Sequence, residues 1–145
     1  MSEEISVGLS VFVQHGRQQE AADFYTAAFG AQQGEVHHHD GELMAVEMLF
    51  GSTPVAVVGS NPKREADPAL GGPFFPKAPG AVSTVLRLTV GNLGEVFSAA
   101  VAAGATFRDE IGPDSTGSRS ASVFDPFGHL WGLTERKAKA SRLAA

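Results

Sequence analysis

Apolar and polar side chains alternate along residues 5–13, which is typical of a β-strand with one buried face. One face carries Val7, Leu9, Val11 and Val13, and the other carries Ser6, Gly8, Ser10 and Phe12. From residue 20 the spacing becomes that of an amphipathic helix, with apolar side chains at Ala21, Phe24, Tyr25, Ala28 and Phe29. Gly30 follows where a glycine commonly ends a helix.

Three further strands are predicted in the first sixty residues, at about 32–38, 42–50 and 54–59. Segment 60–80 has a different composition, since it holds five of the eight prolines and a Gly-Gly pair. We predict that it is a linker or an active-site loop without regular structure.

The second half of the chain repeats the first pattern. Residues 85–90 alternate as a strand, and Asn92 with Glu95 predicts the start of a helix that ends at Gly104. Strands are then predicted near 105–110, 119–124 and 129–134. The chain therefore contains the same βαβββ unit twice.

This repeat predicts an α+β fold in a single domain, 1–145, built from two modules. The first module is 5–60, the linker 61–80, the second module 81–135, and a basic tail 136–145 follows. Side by side, the two curved sheets would form a trough with the helices on the outer face. We expect the trough to be the ligand site.

Composition narrows the function classes. The 145 residues carry a net charge of −5 and no cysteine, which excludes disulfides, thiolate metal sites and cysteine nucleophiles. An acidic chain without a bilayer-length apolar stretch or a basic leader favours a cytoplasmic protein that binds neither nucleic acid nor membrane. The four cations of the tail, Arg136, Lys137, Lys139 and Arg142, are interpreted as a solvated end.

Two segments resemble a known family. The helix segment ADFY at 22–25 with FGA at 29–31, and the segment from Gly112-Pro113 through DPFGHLWGL at 125–133, resemble the vicinal-oxygen-chelate superfamily, which comprises glyoxalases, bleomycin resistance proteins and dioxygenases. The residues resemble especially its PhnB-like and bleomycin-resistance-like branches, and we predict the PhnB-like branch. The resemblance covers nearly all of residues 5–135, and it implies the predicted fold, a homodimer and a small-molecule ligand.

In metal-dependent members of that family, four strands supply the ligands, mostly His and Glu. The corresponding positions here are Gly8, a residue within 56–58, Val85 and Gly132, none of which can bind a divalent cation. The resemblance combined with this departure predicts a protein with no metal and no cofactor.

The histidines offer a different possibility. His37 and His39 can share one side of a strand, and a site made by them with an acid such as Glu47 stays open, although an exposed strand is the simpler interpretation. We expect His129 to cap a turn or face solvent. Trp131 has the opposite parity to Gly132, so we expect it to pack against a helix.

Arg87 is the most informative polar residue. It lies within the apolar strand VLRLTV, on the face predicted to line the trough. A permanent charge there needs either a carbonyl-bearing or anionic ligand or a structural carboxylate such as Glu47, and both interpretations stay open. The predicted ligand-binding residues are Ser10, Phe12, Arg87, Thr89 and Gly132.

Three functions follow. The leading hypothesis is that the protein binds a small organic molecule without the usual metal, as bleomycin-resistance-like proteins do. The second is a lyase, isomerase or dioxygenase that uses non-standard metal ligands or no metal. The third is a structural or partner-binding module, which no sequence feature supports.

Overall fold

The computed structural model describes residues 4–137, which form two compact units that meet in the chain between Pro76 and Lys77. Lys139 and Arg142 of the basic tail lie outside the described residues. The first unit comprises β1 (Ser10–Val13), α1 (Gln18–Phe29), β2 (Gln32–His39), β3 (Glu42–Phe50), β4 (Thr53–Gly59), α2 (Pro62–Ala66) and a 3₁₀ turn (Pro68–Leu70).

The first sheet has the strand order β1-β4-β3-β2, with β1 parallel to β4 and the other pairs antiparallel. Its core forms where α1 packs on the sheet: Tyr25 of the helix and Val46 and Val57 of the strands are fully buried. Gly30 ends α1 with φ 72°, as predicted, and its backbone N–H bonds to the Thr26 carbonyl.

The first strand is shorter than predicted. Val11 and Val13 are buried, but Ile5 and Val7 are 93% and 90% exposed. Hydrogen bonding between the parallel strands reaches Leu9, whose carbonyl accepts from the Ala56 amide at 2.9 Å. The next donor in the ladder would be Pro54, which has no N–H, so the pairing stops there.

Segment 60–80 contains more regular structure than predicted. Asn61 caps α2 by accepting a 2.9 Å hydrogen bond from the Lys63 amide, and Pro62 occupies the first turn. A proline at that position costs no hydrogen bond, because the first helical amides have no partner within the helix. The prediction of a loop without regular structure was therefore wrong for the stretch Pro62–Leu70.

A buried glutamine ties α1 to the sheet. The Gln18 side chain is 1% exposed, and its Nε2 donates to the Leu43 carbonyl at 2.9 Å. A Cβ built on Gly59 would collide with that amide group and lie 2.6 Å from Nδ1 of His15. The close approach of Gln18 therefore requires a glycine at 59.

The second unit repeats this plan. It comprises β5 (Val85–Val90), α3 (Leu93–Ala103), β6 (Thr106–Pro113), β7 (Arg119–Phe124) and β8 (Leu130–Glu135), in the sheet order β5-β8-β7-β6. Asn92 Oδ1 accepts from the Glu95 amide at 3.1 Å, as the predicted helix start requires. The two predicted βαβββ modules and the α+β fold class are confirmed, and none of the described helices is long and apolar enough to cross a bilayer.

The DPFG turn between β7 and β8 is organised by one carboxylate. Asp125 is 3% exposed, and its Oδ1 accepts from the amides of Phe127 and His129 at 2.9 and 3.0 Å. Trp131 is buried on the sheet face that packs against α3, as predicted. His129 is only 7% exposed, so of the two expected roles facing solvent is wrong, and capping the turn stays a prediction.

Candidate functional site

Each sheet has one face against its helix and one helix-free face. In the second unit the cross-strand pairs assign side chains to the helix-free face: Arg87 pairs with Gly132, Thr89 with Thr134, and Ser122 with Gly132 from the other side. The register thus brings together three predicted ligand-binding residues, Arg87, Thr89 and Gly132.

Arg87 extends over Gly132. A Cβ built on Gly132 would lie 3.6 Å from Cγ of Arg87, an ordinary van der Waals distance, so the arginine stem lies directly beside this position. Among the described residues the Arg87 guanidinium has no hydrogen-bond or ion-pair partner. The carboxylate considered as its structural partner, Glu47, instead bonds to Nε2 of His37 at 2.5 Å.

A cavity of about 440 Å³ adjoins this position. Its lining is largely polar and includes Gly132, Asp109, Ser120, Ser122 and Thr134. Asp109 is held by a 2.5 Å hydrogen bond from the Ser122 hydroxyl and a 2.9 Å ion pair with Arg108. The cavity therefore offers hydroxyl groups and a fixed carboxylate beside an unpaired guanidinium.

The other two predicted residues lie in the first unit. Ser10 and Phe12 are on its helix-free face, where the register pairs them with Ala56 and Val58 of β4. Ser10 is exposed and Phe12 half-buried.

The four family metal positions do not form a ligand set. Gly8 precedes β1 and has no side chain, and residues 56–58 are Ala, Val and Val. Val85 pairs with Leu130, and Gly132 pairs with Arg87. None of these side chains offers a metal a carboxylate, imidazole or thiolate, so the donors of this chain do not fit the metal that the family resemblance implies.

A separate cluster of potential ligands lies on β2 and β3. Glu35, His37 and Glu47 place one ligand atom each within 4.8 Å of one another. The sequence had suggested His37, His39 and Glu47, but His39 contacts Asp40 at 3.4 Å near the hairpin end and does not join the cluster.

Sequence reasoning missed Glu35 and the polar lining formed by Asp109, Ser120 and Ser122. Gly34 gave a usable signal for Glu35, because a glycine inside a strand often marks a bulge. The serines gave none, since short polar side chains on an alternating strand are ordinary surface residues.

Comparison with known proteins decides the family. The sequence profile of the glyoxalase/bleomycin resistance protein/dioxygenase superfamily matches residues 9–133. The chain belongs to that superfamily. The PhnB-like branch within it stays a prediction.

Among the relatives of this chain, an uncharacterised Mycobacterium bovis protein is 32% identical over 114 residues, which are 78% of this chain and 72% of that protein. A Mycobacterium tuberculosis protein has the same identity over 65% of its own length, so the match spans just under two thirds of that relative. Neither name states an activity.

Solved structures share the fold at low sequence identity. TioX from Micromonospora sp. ML1 has a TM-score of 0.64 and 19% identity, with 94% of this chain and all of TioX covered. The fosfomycin resistance protein FosX from Listeria monocytogenes, solved with Mn(II) and sulfate, has a TM-score of 0.65 and 12% identity over 96% of this chain and 94% of FosX.

Proposed function

We propose that this superfamily member binds a small organic molecule through an anionic or carbonyl oxygen, with Arg87 as the anchor. The cavity on the helix-free face of the second unit would hold the rest of the ligand, and no metal would occupy the family positions. The observation that carries the proposal is the Arg87 guanidinium, which has no partner among the described residues and lies over Gly132 beside a polar cavity.

The chemistry of the site agrees with such a ligand. A guanidinium presents donors in a fixed fork that matches a carboxylate or a similar oxygen pair. Asp109 and the hydroxyls of Ser120 and Ser122 can bond to the donor groups of the same molecule. Thr89, on the same strand and face as Arg87, adds a further hydroxyl.

Binding can be tested with a panel of small aliphatic and aromatic carboxylates followed by amide chemical shifts. Arg87→Met keeps most of the stem and removes the charge. A charge-assisted hydrogen bond contributes roughly 1.5–3 kcal/mol, so we expect affinity to fall about ten- to a hundredfold at about 1.4 kcal/mol per tenfold. Stability should stay near that of the wild type, because no partner is lost.

Arg17→Met is the matched control. It removes the same charge from a half-buried residue that pairs with Glu20 on the first unit. Equal affinities of wild type and Arg87→Met, or equal losses in both variants, would reject the anchor role of Arg87.

A second candidate function is a metal-dependent lyase, isomerase or dioxygenase that uses non-standard ligands. The observation in its favour is the Glu35, His37 and Glu47 cluster. FosX, solved with Mn(II), has the same fold, so the fold is compatible with metal chemistry. Catalysis that survives replacement of all three side chains would exclude this candidate.

A further inference from the structure

We infer that Glu35, His37 and Glu47 form a binding site for a divalent first-row transition ion, with Zn²⁺ preferred over Mn²⁺ and Mg²⁺. The site lies wholly within the first unit and does not depend on the proposed role of Arg87. The expectation of no bound metal rests on the four family positions, and this site lies on the other two strands of the sheet, β2 and β3.

A β-bulge builds the site. Gln33 pairs with Met48 and Val36 with Val46, so two residues, Gly34 and Glu35, lie opposite the single residue Glu47. A bulge of this kind re-aims side chains and occurs often beside functional sites. Here it places Glu35 near Glu47 while its neighbour Val36 keeps its pairing with the buried Val46.

The alternation of side chains along β2 places the third potential ligand on the same face of the sheet. His37 follows Glu35 by two residues and therefore projects from the same face of β2. It pairs with Ala45, which is two residues from Glu47 on the same face of β3. The result is Nε2 of His37 at 2.5 Å from Oε2 of Glu47, with Glu35 completing the group.

The spacing suits an ion after small side-chain movements. Ligand atoms at about 2.0–2.2 Å from one metal lie roughly 3–4 Å from each other. The three atoms lie within 4.8 Å, so rotation about the glutamate side chains suffices, with no change in the backbone. His37 and Glu47 are 50% and 46% exposed, which lets water or a ligand oxygen complete the coordination.

The ligand set predicts the choice of ion. Two carboxylates balance the charge of a divalent cation, and a neutral imidazole favours zinc over the harder magnesium. In the Irving–Williams order zinc also binds nitrogen and oxygen ligands more tightly than manganese does. Zn²⁺ should therefore bind most tightly, Mn²⁺ more weakly and Mg²⁺ least.

The three neighbouring histidines provide an internal control. His37, His38 and His39 are consecutive, and a run of histidines can bind zinc without any glutamate. His39 instead contacts Asp40 at 3.4 Å and lies outside the cluster. A site built by the bulge needs Glu35 and Glu47, whereas a histidine run needs neither.

The experiment is isothermal titration of the 145-residue chain, freed of any polyhistidine tag, with ZnCl₂, MnCl₂ and MgCl₂. We expect one Zn²⁺ per chain. Replacing groups that only orient metal ligands costs about 10- to 100-fold in affinity, so Glu35→Gln, His37→Ala and Glu47→Gln should each weaken binding by at least tenfold. His39→Ala should bind as the wild type does.

Circular dichroism of each variant checks that the fold is retained. The imidazole nitrogen resonances in NMR spectra of the wild type show which histidine coordinates the ion. A shift at His37 alone supports the site. Binding that depends on His38 or His39 but not on Glu35 would assign zinc to the histidine run and overturn the inference. Absence of Zn²⁺ binding at millimolar concentration would overturn it as well.

Discussion

The indole Nε1 of Trp131 donates a 2.8 Å hydrogen bond to Oδ2 of Asp125, and both side chains are buried. With the amides of Phe127 and His129 on the other oxygen, the carboxylate accepts at least these three hydrogen bonds from one turn and the strand that follows it. The DPFG turn, which is part of one of the two segments that carry the family resemblance, is therefore held by a buried hydrogen-bond network, and the contribution of that network to stability can be measured.

Asp125→Ala should lower the free energy of unfolding by about 3 kcal/mol or more, because each buried donor left without a partner costs roughly 1–3 kcal/mol. Trp131→Phe removes one of the three bonds and should cost less. Urea denaturation measures both. Asp114→Ala is the control, since that carboxylate accepts three bonds at a half-buried position, where water can reach and replace them. Equal losses in Asp125→Ala and Asp114→Ala would contradict the buried network.

Substitution by alanine should destabilise the fold at Gly59 and leave its stability nearly unchanged at Gly132. At Gly132 a Cβ meets only ordinary contacts, at 3.6 Å from Arg87 and 3.7 Å from Val85, so Gly132→Ala should leave stability within about 1 kcal/mol of the wild type. At Gly59 the Cβ collides with the buried Gln18, so Gly59→Ala should cost about 1–3 kcal/mol. Thermal unfolding measures the loss of stability in both variants. A loss in Gly132→Ala as large as that in Gly59→Ala would contradict the prediction.

Stability should fall in acid partly through Glu135. Hydrogen bonds from the Arg119 side chain, and a further one from the Leu93 amide, hold the pKa of Glu135 below the ordinary value of 4.5. A carboxyl with a lowered folded pKa stabilises the fold above the unfolded pKa, and that contribution disappears as the pH falls through the folded value.

The difference in unfolding free energy between the wild type and Glu135→Gln should therefore shrink as the pH falls below 4.5. Urea denaturation at several pH values measures it. Glu110→Gln serves as the comparison, because the Glu110 side chain makes no hydrogen bond or ion pair among the described residues. If Glu110→Gln changes the acid dependence as much as Glu135→Gln does, the assignment to Glu135 fails.

A homodimer remains our expectation. Ile5 and Val7 are 93% and 90% exposed on the single chain, and apolar side chains of this size commonly pack against a second subunit. Light scattering should give twice the 15.1 kDa of one chain. Ile5→Lys should shift the mass toward the single-chain value. Leu70 is also apolar and exposed but lies elsewhere on the first unit, so Leu70→Lys should leave the mass unchanged. A wild-type mass of 15.1 kDa would contradict the dimer.

Much of the fold was predictable because alternation and helical spacing are strong local signals. The predicted strand 42–50 is the observed Glu42–Phe50, and the predicted helix ends at Gly30 and Gly104 hold. The start of β1 was not predictable from its own residues. It depends on Pro54, which lies on the partner strand and interrupts the ladder.

Helix α2 had a usable signal that the proline content obscured. Asn61 followed by Pro62 is a helix start, although five prolines in the segment favoured a loop. The candidate sites were harder to predict. Pairing Arg87 with Gly132 requires the strand register, and bringing Glu35 to Glu47 requires the bulge, both of which arise from contacts between strands.

The bulge at Gly34 also separates two kinds of constraint on the chain. On one face of the sheet, Val46 of β3 is buried, and any change there is limited by packing, whereas its partner Val36 on β2 is 42% exposed. On the other side, Glu35 and His37 are exposed, so substitutions there leave the interior intact. Binding preference can thus diverge among proteins of this architecture without loss of folding stability, because the potential ligands and the buried Val46 and Met48 lie on opposite faces of the sheet.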